Sequence, residues 1–426
     1  MLDIPCGKCY GFPEMTHSDN LTTSDGTGYC FDIGPIRPPN EGRESSLLIR
    51  VTRNCPWNRC EFCPTYKDSK FEYRGVDRVK ADIDTIKAIA DALKDVSWKA
   101  GYGGSVNDAV IADFIHSHPE LYGKGRISQE IQQSRLQSLM NVANWLISGG
   151  ATVFLQDADS LIMRTPELVE ILGHLKAAFP KIQRITSYAR AKTLSKKSLE
   201  ELTALHEAGL TRLHVGLESG CDEVLAYIQK GVTAREHIEA GNKVMKAGIE
   251  LSEYVMPGLG GRRLSEKHAR DTAEVLNQIG PDFIRLRSLI VRRNTPLHSK
   301  LERGEFEPLS DDEVVAEVQL LLELINCRSY LASDHMSNLL LEIEGKLPED
   351  KPRMLETIRR YQTMSQGDRL KFQLKRRLRS YLNVYGGLPP EIDGKVQAAL
   401  NEIERGTKDA TEKVLEAVSL LKDGFI

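Results

Sequence analysis

Six short apolar segments alternate with stretches of helical spacing between residues 46 and 300, and no other feature limits the fold as much. The segments are Ser46–Thr52 (SLLIRVT), Ala151–Leu155 (ATVFL), Arg184–Tyr188, Arg212–Leu217, Glu250–Met256 and Asp282–Leu289. Each is short and apolar enough for a strand buried on both faces. Between them, Val79–Leu93 carries Ile83, Ile86, Ile89 and Leu93 on one helical face. Thr165 stands as an N-cap before Pro166 and Glu167. Strand–helix alternation of this kind predicts an α/β fold built on a parallel sheet, open or closed into a barrel. Sites in such folds gather at the carboxyl ends of the strands.

Two regions depart from the alternation. Residues 97–150 are too long for a simple connection and contain a helical pattern at Ile127–Ile147. This insertion is expected to cover the mouth of the sheet. Residues 1–45 are rich in Gly, Pro, Ser, Thr and Asp, and the IGPIRPPNEG stretch reads as an extended arm. After about residue 300 the strand pattern stops. Ser310-Asp311-Asp312-Glu313 opens a helix with a capping box, and helical pattern runs to the end apart from a break near Gly386–Pro390. The expected organisation is an irregular arm (1–45), a core (46–300) with a helical insertion (97–150), and a helical C-terminal domain (301–426).

A net charge of -3 and 27% charged residues demand neither a nucleic acid nor a membrane as partner. RNA is not expected as a partner. The longest apolar runs, such as Leu320–Leu322 with Leu324 and Ile325, fall far short of the ~18 residues of a spanning helix. The start, MLDIPCGKCYG, has no basic and apolar leader pattern, so a cytoplasmic location is expected.

Eight cysteines in so long a chain make no dense disulfide framework, and in a reducing compartment their clustering points to metal or catalysis. Cys55-Pro-Trp-Asn-Arg-Cys60-Glu-Phe-Cys63 follows the first strand directly. Three thiolates on a short loop hold three irons of a cubane and leave the fourth iron to a small molecule. No fourth cysteine stands at short spacing, the next being Cys221. A zinc site and fortuitous thiols are the alternatives. Cys6 and Cys9, with Cys30, are candidates for a second metal site, against free thiols.

The cysteine loop resembles that of the radical S-adenosylmethionine superfamily, with four residues rather than the usual three between the first two cysteines. The resemblance covers roughly residues 46–300 and extends to Gly216-Leu-Glu218-Ser219-Gly220 with Lys230-Gly231-Val232-Thr233, which are similar to the subgroup of oxygen-independent coproporphyrinogen oxidases, methylthiotransferases and B12-associated members. It implies a partial (β/α)6 TIM-like barrel in which Cys55, Cys60 and Cys63 bind a [4Fe–4S] cluster and Phe62 lies near the adenine of S-adenosylmethionine. Glu218 and Ser219 are then expected to reach S-adenosylmethionine. Asp157 is the candidate for its ammonium and Arg190, after Ser187, for its carboxylate. Met256, in the Glu253–Gly261 segment, is expected beside the adenine. For Asp157 the alternative is a helix cap, for Arg190 a surface ion pair.

The activity so implied is reductive cleavage of S-adenosylmethionine to a 5′-deoxyadenosyl radical, which abstracts hydrogen from a small-molecule substrate. Flavodoxin or ferredoxin is the expected electron donor, and anaerobic oxidoreductase chemistry the expected setting. A non-catalytic iron–sulfur or haem-carrier protein of the same fold is the rival reading. No TRAM-like or cobalamin-binding domain is recognisable. His335, in Ser333-Asp334-His335-Met336-Ser337-Asn338, is a candidate catalytic residue, against a helix-packing histidine. The basic stretch Arg359–Arg379 reads as a solvated helical face or as a site for an anionic substrate or RNA phosphate.

Overall fold

The computed structural model describes residues 29–39, 45–123, 128–407 and 409–425. Ten strands are present among them: β1 (Leu47–Arg50), β2 (Thr52–Arg53), β3 (Glu72–Tyr73), β4 (Thr152–Gln156), β5 (Arg184–Ala189), β6 (Leu210–Glu218), β7 (Glu250–Val255), β8 (Phe283–Leu286), β9 (Ser329–Ala332) and β10 (Gly345–Leu347). Eight form one sheet in the order β1-β4-β5-β6-β7-β8-β9-β10. Every pairing is parallel except the last, β9 with β10. All six expected strands are there, in sequence order, and the sheet stays open between its edges.

Two strands lie beyond the point where strand pattern was expected to end. β9 adds a seventh parallel strand beside β8, and β10 folds back on it. Both are very short and carry no run long enough to show a period, so the sheet continues where local pattern gives out.

The alternation of side chains sorts the sheet into two faces. Leu47, Ile49, Val153, Leu155, Ile185, Leu213, Val215, Leu251, Ile284 and Leu286 point outward into the core shared with the helices. The other face carries Phe154, Tyr188, His214 and Tyr254, whose rings meet at centroid distances of 5.1–6.4 Å. These rings pack the concave side of the curved sheet.

The insertion is placed differently from expectation. Its helix Gln129–Ile147 packs against the helix Val76–Lys99 and the free edge of β1, not over the mouth. Asn141 Oδ1 accepts the Leu48 N–H of that edge at 3.1 Å. An edge strand presents unpaired N–H groups, and the insertion supplies partners for them. Thr165, expected as an N-cap, is the first residue of its helix, and its hydroxyl donates to Glu201.

Residues 29–39 run as a strap over β1, β4 and β5. Gln156, fully buried, accepts from the Gly34 N–H and donates to the Gly34 carbonyl, while Asp32 takes Arg50 at 3.1 Å and Arg53 at 2.7 Å. The C-terminal region is helical, and Gln366–Tyr385, Pro390–Arg405 and Ala410–Asp423 share an apolar cluster of their own. Arg377 ties that cluster to the sheet. It donates to the carbonyls of Met336, Ser337 and Asn338 and pairs with Asp311 at 2.9 Å. Burial alone would raise the Asp311 carboxyl, but Lys422 and Arg377 hold it far below the usual carboxylate range.

Candidate active site at the cysteine loop

The loop that follows β2 is built by asparagines and held from three sides. Asn54 and Asn58 take left-handed backbone conformations (φ 66° and 47°), which Asn tolerates better than most residues. The Asn58 amide donates to the Tyr66 and Ser69 carbonyls. Lys67 Nζ donates to the Asn58 and Cys60 carbonyls at 3.2 and 3.0 Å. Backbone bonds run from Glu61 N–H to Ile228 O and from Leu297 N–H to Glu61 O. The Trp57 indole donates to Gln229 O at 2.7 Å. Gly231 has φ +71°, and a Cβ there would stand 2.3 Å from the Trp57 ring. Only glycine meets both conditions.

Cys55, Cys60 and Cys63 are half-buried on this loop, all free thiols. Burial raises the Cys60 thiol, and its neighbours Cys63 and Cys55 raise it further, whereas Lys230 and Arg190 pull it down. Two cations thus face the loop where thiolate charge would collect. Lys230 Nζ donates to Glu218 Oε1 at 2.9 Å and lies 5.8 Å from the Phe62 ring centroid. Arg190 donates to the Lys230 carbonyl at 2.9 Å and stacks 5.1 Å from the Trp57 centroid.

This donor set fits a [4Fe–4S] cluster. Three soft thiols share one loop; Cys221 belongs to the apolar cluster that Phe62 packs against but turns its thiol to Asp271, and Cys327 and Cys30 lie in other surroundings. Among the described residues no His, Cys, Asp and Glu side chains are drawn together as a single-ion set.

The remaining predicted residues divide into two groups. Phe62, Glu218, Arg190 and Met256 are brought to the loop. Phe62 and Met256 belong to one apolar cluster with Ile228 and Leu259, and the Met256 N–H donates to the Glu218 carbonyl at 3.0 Å. Glu218 itself has φ +60° at the end of β6, where the register with β7 shifts. Ser219 is next to it, fully buried, with its hydroxyl against His268 Nδ1 at 2.8 Å. The second group is engaged elsewhere. Asp157 is fully buried and holds Arg50 at 2.6 Å and the Asn54 N–H at 3.0 Å. It anchors the root of the loop. Ser187 falls on the helix side of β5 and donates to Leu155 O. His335 lies after β9, with Nδ1 accepting the Ser337 N–H at 3.1 Å. Cys6 and Cys9 lie outside the described residues, and Cys30 meets the Ser134 hydroxyl at 2.9 Å.

Sequence reasoning quoted Lys230, Trp57 and Glu253 only as parts of motifs and gave none of them a role of its own. The cation twelve residues after Glu218 was a readable signal for Lys230. Glu253, on the helix side of β7, offered none. Burial, and then the nearby Glu218, raise its carboxyl well above the usual range.

The sequence profile described as Radical SAM superfamily matches residues 123–274. A tRNA uridine(34) acetyltransferase of Methanocaldococcus jannaschii is 25% identical over 118 residues, 27% of this chain and 22% of that protein. Elongator complex protein 3 of Homo sapiens is 22% identical over 308 residues, 68% of this chain and 51% of the relative. The chain spans about half or less of the length of these relatives. The first relative is named for a tRNA, and the expectation that RNA is no partner is left without support. Coproporphyrinogen III oxidase from Escherichia coli, described as a radical SAM enzyme, superposes with a TM-score of 0.39 at 13% identity, covering 68% of this chain and 55% of its own. No helix among the described residues is long and apolar enough to cross a membrane.

Proposed function

We propose that this chain, whose residues 123–274 match the Radical SAM superfamily profile, is an enzyme of that superfamily in which Cys55, Cys60 and Cys63 hold a [4Fe–4S] cluster and Glu218, Arg190, Lys230, Phe62 and Met256 form the S-adenosylmethionine side of the site. When bound, the cluster and S-adenosylmethionine supply one chemistry: an electron from a flavodoxin- or ferredoxin-class donor breaks the sulfonium C–S bond, giving methionine and a 5′-deoxyadenosyl radical that takes hydrogen from the substrate.

The chain's own residues do the binding and orienting. Burial pushes the Cys60 thiol up, and Lys230 and Arg190 set positive charge beside it that offsets part of this cost to the thiolate. The Lys230–Glu218 pair, only 11% and 13% exposed, fixes a carboxylate and an ammonium at the end of β6. Such a pair suits a zwitterionic ligand that carries both an ammonium and a carboxylate. Phe62 and Met256 give an apolar wall next to it, which excludes water. The observation that carries the reading is the convergence of Lys230 and Arg190 on the loop that carries the cysteine triplet.

The substrate class is proposed as a nucleoside in RNA or a small molecule, and the name of the tRNA-modifying relative puts RNA first. After anaerobic reconstitution with iron and sulfide, protein given S-adenosylmethionine and a strong reductant should release 5′-deoxyadenosine, and Cys60→Ala should lose both iron and product. Adding transfer RNA and then a metabolite extract separates the substrate classes. Product formation by a Cys60→Ala protein that retains its iron would overturn the assignment.

A further inference from the structure

A buried imidazole joins the two strand ends assigned above to the ligand. His268, on the helix Gly261–Ile279, is 1% exposed. Its Nδ1 lies 2.8 Å from the Ser219 hydroxyl, just after β6, and its Nε2 lies 3.2 Å from the Met256 carbonyl, just after β7. A carbonyl only accepts, so Nε2 carries a proton. In the neutral ring Nδ1 then accepts from the Ser219 hydroxyl, whose oxygen in turn accepts the Cys221 N–H at 3.0 Å. One continuous chain of hydrogen bonds thus spans both strand ends.

Further bonds fix the same two turns. Thr272 Oγ1, one helical turn after His268, accepts the Gly220 N–H at 2.8 Å. Gly220 is pressed so closely on this helix that a Cβ would stand 2.4 Å from Asp271 O. Glu317, on the helix Asp311–Leu324, has one carboxylate oxygen 3.6 Å from His268 Nε2. The same oxygen accepts the Gly258 N–H at 2.7 Å, and Ser265 donates to the other. A helix between β8 and β9 therefore reaches into the turn that carries Met256. Core packing alone calls for apolar side chains here. A buried histidine and glutamate with their bonds made instead specify one geometry.

We propose that His268, backed by Glu317, is a positioning residue for S-adenosylmethionine: it sets the spacing between the Glu218–Ser219 turn and the Met256–Gly258 turn, so that the polar and apolar walls of the ligand site form together. This rests on the assignment of those turns to the ligand. His268 touches neither the cysteine loop nor the reacting atoms, so its removal alters ligand affinity more than the chemical step.

The test uses the full-length, cluster-loaded protein and reads three quantities: iron content, equilibrium binding of S-adenosylhomocysteine, and KM against kcat for S-adenosylmethionine cleavage. In His268→Ala, iron content stays at the wild-type level, while S-adenosylhomocysteine binding and KM weaken about tenfold, the effect of one or two lost buried hydrogen bonds. kcat stays within about threefold of wild type on the same reasoning. His268→Gln keeps one donor and one acceptor and recovers most of the affinity. Should His268→Ala fail to fold, His268→Leu fills the space without either hydrogen bond and carries the same expectation. Folded, iron-loaded His268→Ala or His268→Leu that binds S-adenosylhomocysteine as wild type does overturns the brace. So does a folded His268→Gln that recovers nothing. Wild-type protein that loads iron yet binds no S-adenosylhomocysteine overturns the ligand assignment itself, and the brace with it.

Discussion

Replacing Asp157 separates two roles for one carboxylate. By position at the end of β4 it was the candidate for the ligand ammonium, yet it sits fully buried against Arg50 at 2.6 Å. Removing one partner of a buried ion pair costs about 3–5 kcal/mol, because the charge left behind is desolvated without compensation. Arg50 keeps Asp32 at 3.1 Å, and Asp32 is 19% exposed, so the lower end applies, about 3 kcal/mol. The Asn54 N–H, bonded to Asp157 at 3.0 Å, loses its acceptor as well, which adds about 1 kcal/mol. Asp157→Ala should therefore destabilise the fold by about 4 kcal/mol, a fall of about 1 M in the urea midpoint for an m-value near 3 kcal/mol/M. Asp157→Asn keeps an acceptor for both donors and should cost about half as much. The assay pairs urea unfolding, followed by circular dichroism, with S-adenosylhomocysteine binding at low urea. An Asp157→Ala protein that unfolds at the wild-type midpoint but no longer binds the ligand would refute the anchoring role and restore the ligand contact.

Two further expectations concern the site's surroundings. Gly231→Ala should loosen the cysteine loop, since the new Cβ meets the Trp57 ring at 2.3 Å and φ is +71°; left-handed strain and the lost indole bond sum to roughly 2 kcal/mol. Faster iron loss and a shifted tryptophan emission check it, and unchanged emission with full iron retention would count against it. His237 is fully buried, neither ring nitrogen has a hydrogen-bond partner among the described residues, and burial, with Lys230 and Arg190, pushes its pKa down to about 3. The folded state then binds fewer protons than the unfolded state between about pH 3 and 6.5, so stability falls as pH drops through that window. Asp159, raised to about 6 by burial, acts in the opposite sense but is common to both proteins in a comparison. Relative to His237→Phe, wild type should lose about 1.4 kcal/mol per pH unit below 6.5 in urea titrations. A pH-independent difference would show that the ring is not held neutral.

Local pattern determined much of this protein. The six parallel strands and their order follow from apolar runs spaced by amphipathic helices, because a period is a property of neighbours in the chain. The cysteine triplet stood out by its own spacing, whereas Glu218, Ser219 and Met256 were named only through the resemblance of the contiguous motifs that contain them. Tertiary structure alone decided the rest. Arg50 and Asp157 lie 107 positions apart and Ser219 and His268 lie 49 apart, so nothing in either neighbourhood marks the pairing. The same distance hid the turn of Lys230 and Arg190 toward Cys60, the covering of the β1 edge by the insertion, and the addition of β9 to the sheet. Burial and pairing depend on which surfaces meet after the chain has folded, and that information is spread over the whole molecule rather than written at any one site.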